Sequence, residues 1–290
     1  MSTERPAVDR LVDAGEVELA LIERGEGPLV VCLHGFPDSV FSMVPLLDTL
    51  AAAGFHAVAP AMRGYAPSSL PPRRRTTPVD LARDVLAIAD ALGEEELMVV
   101  GHDWGAVTAH TVATLAPHRI RRIVMAAVPH THSVITRPSL KQAWRSRYMV
   151  QFQVPDVPER IIGRDGLRWI DELVRRWSPG WRPSAEQLAT IRAGLQGQGR
   201  MSAALGYYRG IPLALADADA RRIVFGEVPV PALVIRGEAD HCMGAERFDD
   251  LGDRFTGGVR LASIPGAGHH MHLEVPEVFA DHVLAHLTAA

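Results

Sequence analysis

The sequence of 290 residues has little cysteine, a single lysine (Lys141) and no long apolar run. Its two cysteines, Cys32 and Cys242, stand among apolar or small residues, which indicates reduced thiols rather than a disulfide scaffold. No stretch approaches the ~18 uncharged apolar residues of a membrane span, and residues 1–6 lack the apolar segment of a signal peptide. We therefore expect a cytoplasmic protein without a membrane segment.

The chain also lacks a large excess of positive or negative charge. The formal net charge is −4 at pH 7 and the isoelectric point is about 6.3, which argues against a nucleic-acid partner. Apolar residues make up 47% of the chain and charged residues 22%, as in ordinary globular proteins. The length corresponds to about two units of ~150 residues, or to one large α/β domain with an insertion.

Apolar runs alternate with helical periodicity in the first part of the chain. Strands that are apolar throughout and alternate with helices are typical of a parallel sheet covered on both faces. The pattern predicts an edge strand at residues 17–23, followed by further strands at residues 29–33, 56–60, 97–100 and 120–128. It predicts helices between them at residues 44–53, 78–92 and 106–116.

This alternation stops near residue 130 and returns after residue 225. The segment between contains no convincing buried strand, although residues 167–177 and 185–195 have helical character. Strands are then predicted at residues 232–236 and 259–264, and helices at residues 245–255 and 276–287. The sequence therefore predicts an α/β core of residues 1–129 and 226–290, interrupted by a mainly helical insertion at residues 130–225.

The strongest chemical signal is the pentapeptide Gly-His-Asp-Trp-Gly at residues 101–105. It follows a predicted buried strand and precedes a predicted helix, which is the context of a nucleophile elbow. Small residues on both sides allow the tight turn, and the central residue is then presented at the carboxyl edge of the sheet. Here that residue is Asp103, and no Gly-x-Ser-x-Gly occurs anywhere in the chain. Serine esterase chemistry is therefore not expected.

A second motif, His-Gly-Phe-Pro at residues 34–37, directly follows another buried strand. A turn at this place can direct the backbone N–H of Phe36 into the same site. Together with the N–H of Trp104, it would form an oxyanion hole.

Two later loops supply an acid and a base. Asp240 follows the strand at 232–236, and His269 follows the strand at 259–264. The chain order of nucleophile, acid and histidine is the one expected for this fold. His270 remains an alternative to His269. A metal site formed by the histidines of residues 269–272 is not predicted, because no cysteine or glutamate completes a recognisable ligand set.

These motifs resemble those of the α/β-hydrolase superfamily, specifically its epoxide hydrolase branch, over nearly the whole chain. Residues 34–37 are similar to the family's HGxP motif, and residues 62–65 (Met-Arg-Gly-Tyr) are similar to its loop after the next strand. The resemblance implies an α/β-hydrolase fold with the insertion as a cap. It also implies Asp103 as nucleophile, His269 as base and Asp240 as orienting acid. The family usually has a larger aromatic residue at the position of His270.

The insertion contains two further matches to this branch. Residues 148–153 and 206–210 are similar to the cap segments that carry the two ring-opening tyrosines, which places Tyr148 and Tyr208 in those roles. The chain has only four tyrosines. The presence of two of them at these positions favours epoxide hydrolysis over the related reactions. We expect the substrate pocket to include Phe36, Trp104, Phe152 and Met271.

The resemblance implies that an epoxide and water are converted to a vicinal diol through an ester on Asp103, with no metal or organic cofactor. The expected partners are therefore small molecules, and the chain is expected to be a monomer or a homodimer. The main alternative is a haloalkane or haloacetate dehalogenase with the same triad. Its halide needs indole donors, from Trp104 and one of the tryptophans at 144, 169, 177 and 181. A remote alternative is a hydrolase-like ligand-binding protein.

Overall fold

The computed structural model describes residues 8–72, 75–136 and 139–289. Eight strands form one sheet in the order β1-β2-β4-β3-β5-β6-β7-β8. The first two pairings are antiparallel, and every pairing from β4 to β8 is parallel. The strands are β1 (Arg10–Asp13), β2 (Glu18–Arg24), β3 (Leu29–Leu33), β4 (His56–Pro60), β5 (Leu97–His102), β6 (Ile120–Ala126), β7 (Ala232–Gly237) and β8 (Val259–Ile264).

Helices cover both faces of the sheet, as the uninterrupted apolar character of β3 and β5 requires. One face packs against α2 and α3, and the other packs against α1 and α13. Along β3, Val31 belongs to the first of these two cores and Val30 to the second, as the alternation of side chains along a strand dictates. The helices outside the insertion are α1 (Val44–Ala52), α2 (Pro78–Leu92), α3 (Trp104–Leu115), α12 (Met271–Glu274) and α13 (Pro276–Leu287).

Eight helices lie between β6 and β7, and the described residues of this segment contain no strand. They are α4 (Thr131–Thr136), α5 (Leu140–Arg145), α6 (Arg147–Gln151), α7 (Val157–Ile162), α8 (Arg168–Trp177), α9 (Ala185–Ala193), α10 (Arg200–Ala216) and α11 (Ala218–Val224). Among the helices of the three described ranges, none combines the length and apolar character needed to cross a lipid bilayer.

Two predicted elements differ from the structure. The strand predicted at residues 17–23 is not an edge strand, because β1 pairs with its outer side. The helix predicted at residues 245–255 is wrong: the chain forms two short 3₁₀ turns there, Ala245–Arg247 and Gly252–Arg254. Three aspartates (Asp249, Asp250 and Asp253) and Gly252 interrupt this stretch, and both residue types favour turns over a continuous helix.

The longest insertion helix, α10, lies directly against the core. A Cβ at Gly210 would stand 1.9 Å from the carbonyl oxygen of Thr76, so glycine is needed for this contact. Three residues earlier, the Tyr207 hydroxyl donates a hydrogen bond to the carbonyl oxygen of Arg63 at 2.8 Å. These contacts fix the position of α10 relative to the sheet.

Replacing Gly210 with alanine tests this contact. In an exposed helix the change would stabilise the protein by about 1 kcal/mol, but here the new methyl group collides with backbone. We expect the free energy of unfolding to fall by about 2 kcal/mol, measured by urea denaturation. The control is Gly252→Ala, since a Cβ at Gly252 meets no atom within 4 Å. Equal midpoints for the wild-type protein and Gly210→Ala would contradict the close packing.

Candidate active site

The predicted site residues follow four parallel strands at their carboxyl ends. Phe36 comes after β3, Asp103 after β5, Asp240 after β7 and His269 after β8. Because these strands run parallel in one sheet, their carboxyl ends meet at one edge. The fold therefore brings together residues that are distant in the sequence.

Asp103 lies in a strained turn between β5 and α3. Its backbone angles are φ 52° and ψ −111°, a region that residues with a Cβ rarely adopt. A Cβ at Gly101 would lie 2.0 Å from the carbonyl oxygen of Gly105, and one at Gly105 would lie 2.2 Å from that of Leu33. Both flanking glycines are therefore required by close backbone packing, as the elbow motif predicts.

The Asp103 carboxylate is held from two sides. The backbone N–H of Phe36 donates a hydrogen bond to its Oδ1 at 2.9 Å, and His269 Nε2 lies 3.5 Å from its Oδ2. Trp104 is the first residue of α3, and N–H groups in the first turn of a helix have no acceptor within that helix. Phe36 and Trp104 thus flank the carboxylate on its backbone side.

Asp240 orients His269. Its Oδ2 lies 3.0 Å from His269 Nδ1, while its Oδ1 accepts hydrogen bonds from the backbone N–H groups of Cys242 at 2.6 Å and Met243 at 3.0 Å. These bonds prevent the Asp240 carboxylate from rotating, and the carboxylate in turn holds the orientation of the His269 imidazole. His270 is directed elsewhere, with its Nδ1 3.3 Å from the Ser178 hydroxyl oxygen, so the structure brings His269 and not His270 to Asp103.

The electrostatics of His269 are dominated by its two carboxylate neighbours. Burial alone would lower the pKa of its imidazole, but Asp240 and Asp103 together raise this pKa to about 10. The resting arrangement is therefore a cation between two anions. Since the unfolded value is about 6.5, the resulting stabilisation is complete below pH 6.5 and is lost as the pH rises towards 10.

Tyr148 on α6 and Tyr208 on α10 lie close together, with ring centroids 5.8 Å apart. Tyr208 also packs edge-on against Phe36 and Trp104, at 5.6 and 5.1 Å between ring centroids. Burial raises the pKa of both phenols well above the usual value, so both keep their protons. The Tyr148 hydroxyl lies 3.7 Å from Cys242 Sγ, and the Tyr208 hydroxyl is buried beside Trp104 and Tyr148.

An apolar cavity of about 320 Å³, which we call the chamber, connects these groups. Asp103, Trp104, Tyr148 and Tyr208 all line it. The rest of its wall is nearly all aliphatic or aromatic and includes Val107, Val134, Ile135, Met149, Ile211 and Phe225. The chamber therefore places one carboxylate and two phenols in an apolar space.

Three predicted pocket residues, Phe36, Phe152 and Met271, do not line the chamber. The ring of Phe36 lies behind its wall, against Tyr208. Phe152 packs against the rings of Phe36 and Tyr208, at 5.8 and 5.1 Å between centroids, and supports the chamber without lining it. The placement of Met271 in the pocket is wrong. This residue opens α12 and is fully buried in the core beneath the sheet, together with Ile264 and Phe279, because the short helix turns its apolar side inward.

Sequence reasoning missed a buried group below the site. His272 Nε2 lies 3.0 Å from Asp38 Oδ2, and His102 Nδ1 lies 4.0 Å from the same oxygen. These three residues are the ones in the described ranges whose ligand atoms come close enough to hold a metal ion. His102 Nε2 also bonds to the His269 carbonyl oxygen at 2.8 Å, so the group supports the backbone of His269. No spacing in the sequence links Asp38 to His272.

Comparisons with known proteins agree with this fold. The family model described as the alpha/beta hydrolase fold matches residues 28–276. Epoxide hydrolase A of Mycobacterium tuberculosis is 29% identical over 97% of each chain. Epoxide hydrolase 3 of Mus musculus is 31% identical over 91% of this chain and 71% of its own. The crystal structure of epoxide hydrolase A from Mycobacterium thermoresistibile has a TM-score of 0.83 and 27% identity, covering 96% of this chain and 97% of that one.

The chain therefore belongs to the α/β-hydrolase fold family, in its epoxide hydrolase branch.

The two-carboxylate environment of His269 gives a prediction for its titration. In Asp103→Asn one of the two anions is replaced by a neutral amide of the same shape, so the pKa of His269 should fall below the wild-type value of about 10. The measurement is an NMR titration of the imidazole carbon protons. The control is Asp38→Asn, which removes a carboxylate that contacts His272 instead. An unchanged His269 pKa in Asp103→Asn would contradict the coupling.

Proposed function

We propose that this chain is an epoxide hydrolase that forms a covalent ester on Asp103 and releases a vicinal diol. The observation that carries the proposal is the chamber, in which a carboxylate faces two phenols that burial keeps protonated. A nucleophile on one side and two proton donors on the other are what the opening of a strained ether requires. The names of the relatives in Mycobacterium tuberculosis and Mus musculus support the same substrate.

In the first step, Asp103 attacks an epoxide carbon. Its Oδ1 is occupied by the Phe36 N–H, which leaves Oδ2 as the attacking atom. The bond from Oδ2 to carbon forms as the carbon–oxygen bond of the epoxide breaks. The epoxide oxygen takes a proton from Tyr148 or Tyr208, and the product is an ester that carries a neighbouring hydroxyl.

In the second step, water attacks the ester carbonyl carbon of Asp103. Esterification has removed one of the two anions beside His269, so the pKa of this imidazole falls. The cationic ring gives its proton to the tyrosine that lost one in the first step, and the neutral ring then accepts the proton of the water. Asp240 holds the ring and balances its positive charge. The new oxyanion is stabilised by the N–H groups of Phe36 and Trp104, worth about 3 kcal/mol per donor. Its collapse releases the diol and restores the carboxylate.

The helical insertion at residues 130–225 acts in this proposal as a cap on the core formed by residues 1–129 and 226–290. It supplies both phenols and much of the apolar wall of the chamber. The apolar wall favours a substrate with an apolar substituent next to the oxirane ring.

Dehalogenation is less well supported. A departing halide needs two nearby N–H donors in place of phenols, and Trp104 is the one tryptophan among the residues that line the chamber. Trp177 packs against the rings of His269 and Tyr148, at 4.9 and 5.3 Å between ring centroids, and does not line the chamber. The Asp103 side of the chamber therefore offers a single indole.

The ester intermediate can be trapped in His269→Gln, which keeps the nucleophile but lacks the base. After incubation with a mixed panel of epoxides and organohalides, intact mass spectrometry should record the addition of the full mass of an epoxide, and peptide mapping should place it on Asp103. The control, His269→Gln combined with Asp103→Asn, should gain no mass. Addition of an organohalide minus hydrogen halide would replace the proposal with dehalogenation. A protein that stays unmodified would favour a ligand-binding role.

The two phenols give a separate prediction. Tyr148→Phe and Tyr208→Phe should each lower kcat/KM for an epoxide about 10- to 100-fold, and the double variant should lose about 1000-fold, because the departing oxygen loses its proton donors. The matched control is Tyr65→Phe, which removes a buried hydroxyl that has no hydrogen-bond partner in the described ranges and does not line the chamber. Full turnover in the double variant would contradict the assignment of the tyrosines.

A further inference from the structure

A second cavity, of about 540 Å³, shares Tyr148 with the chamber, and we call it the basic cleft. Its charged lining residues are Lys141, Arg145, Arg147 and Arg176, with His241 beside them, and no acidic side chain lines it. The two cavities thus differ sharply in character. The chamber is apolar, whereas the basic cleft has four cations on a wall that also contains tryptophans.

In the described part of the chain, the cations of the basic cleft form no ion pairs with acidic side chains. Within residues 8–72, 75–136 and 139–289, none of Lys141, Arg145 and Arg176 forms a salt bridge with an acidic side chain. Arg147 lies 4.3 Å from the ring centroid of Trp144 and donates to its carbonyl oxygen at 2.7 Å. Cations gathered in a concave site without counter-charges attract an anion.

The basic cleft lies next to the reacting groups. Trp177 lines it and packs against both His269 and Tyr148. His241, also in its lining, directly follows Asp240. Tyr148 lines both cavities, so the chamber and the basic cleft lie on either side of this residue.

We infer that the basic cleft binds the carboxylate of the substrate, so that the preferred substrate is an epoxide with an apolar group on one side and a carboxylate-bearing chain on the other. This inference rests on the proposed epoxide hydrolase function. The apolar end occupies the chamber, the oxirane lies between Asp103 and the two tyrosines, and the chain passes Tyr148. Arg145 and Arg176 bind the carboxylate, assisted by Lys141.

The test is a series of epoxides with a phenyl group on one ring carbon and a chain ending in a carboxylate on the other, compared with their primary amides at each chain length. The ratio of kcat/KM for acid over amide should exceed 10 at low salt at an optimal length and decline on either side of it. In the double variant Arg145→Gln/Arg176→Gln this ratio should fall close to one. The matched control is Arg175→Gln, which removes a neighbouring exposed cation on α8 that does not line the basic cleft, and it should keep the preference.

Three outcomes would overturn the inference. The first is a ratio near one at every chain length in the wild-type protein. The second is an equal loss in Arg175→Gln and in the double variant, which would indicate steering by overall charge. The third is a preference for the acid that does not vary with chain length, because a defined binding site requires an optimum.

A binding measurement separates this inference from the proposed function. Calorimetry with 6-phenylhexanoate, an unreactive carboxylate, should give a Kd at least 10-fold lower than with its primary amide. The double variant should lose this difference. If no epoxide alkylates Asp103 but this difference is present, the proposed reaction fails and the basic cleft stands as an anion site. If epoxides react but 6-phenylhexanoate and its amide bind equally, the proposed reaction is supported and carboxylate binding in the basic cleft is contradicted.

Discussion

The hydrogen bond from the Phe36 N–H to Asp103 Oδ1 forms only because three backbone segments come unusually close together. They are the loop after β3, the end of β5 and the start of α3. A Cβ at Gly35 would lie 2.4 Å from the Cβ of Asp103, and the glycines at 101 and 105 have equally little space. With glycine at these positions, the loop after β3 reaches the turn after β5. The strained conformation of Asp103 is maintained by this packing. The chamber, His269 and the two tyrosines are arranged around the resulting position of its carboxylate.

Charge in the site is concentrated on a single histidine. Two carboxylates raise the pKa of His269 to about 10. Burial lowers the pKa of the three histidines around it, His102, His270 and His272. These neighbours are therefore neutral rings near neutral pH. They fill space and hold the backbone without competing for the proton. The site thus has one group that responds strongly to a change of charge on Asp103.

Much of the fold was predictable from local pattern. The buried strands at 29–33 and 97–100 and the helix at 78–92 have strong apolar periodicity, and the glycines around Asp103 mark the turn. Short elements were not predictable, because β1 has only four residues and the insertion helices α4 to α7 span five or six each. The close approach of Asp103, Asp240 and His269 was predictable, because each lies on a loop that follows a parallel strand. The position of Met271 was not predictable, because the direction of its side chain depends on the turn that follows His269.

The single lysine of the chain stands at the basic cleft. Apart from the histidines, every other basic side chain is an arginine, so among side chains an amine-directed fluorophore attaches to Lys141 alone. This gives the protein a unique reporter position at the cleft. Occupancy of the cleft, exchange of ligand and motion of the surrounding helices become observable by fluorescence without engineering of the sequence.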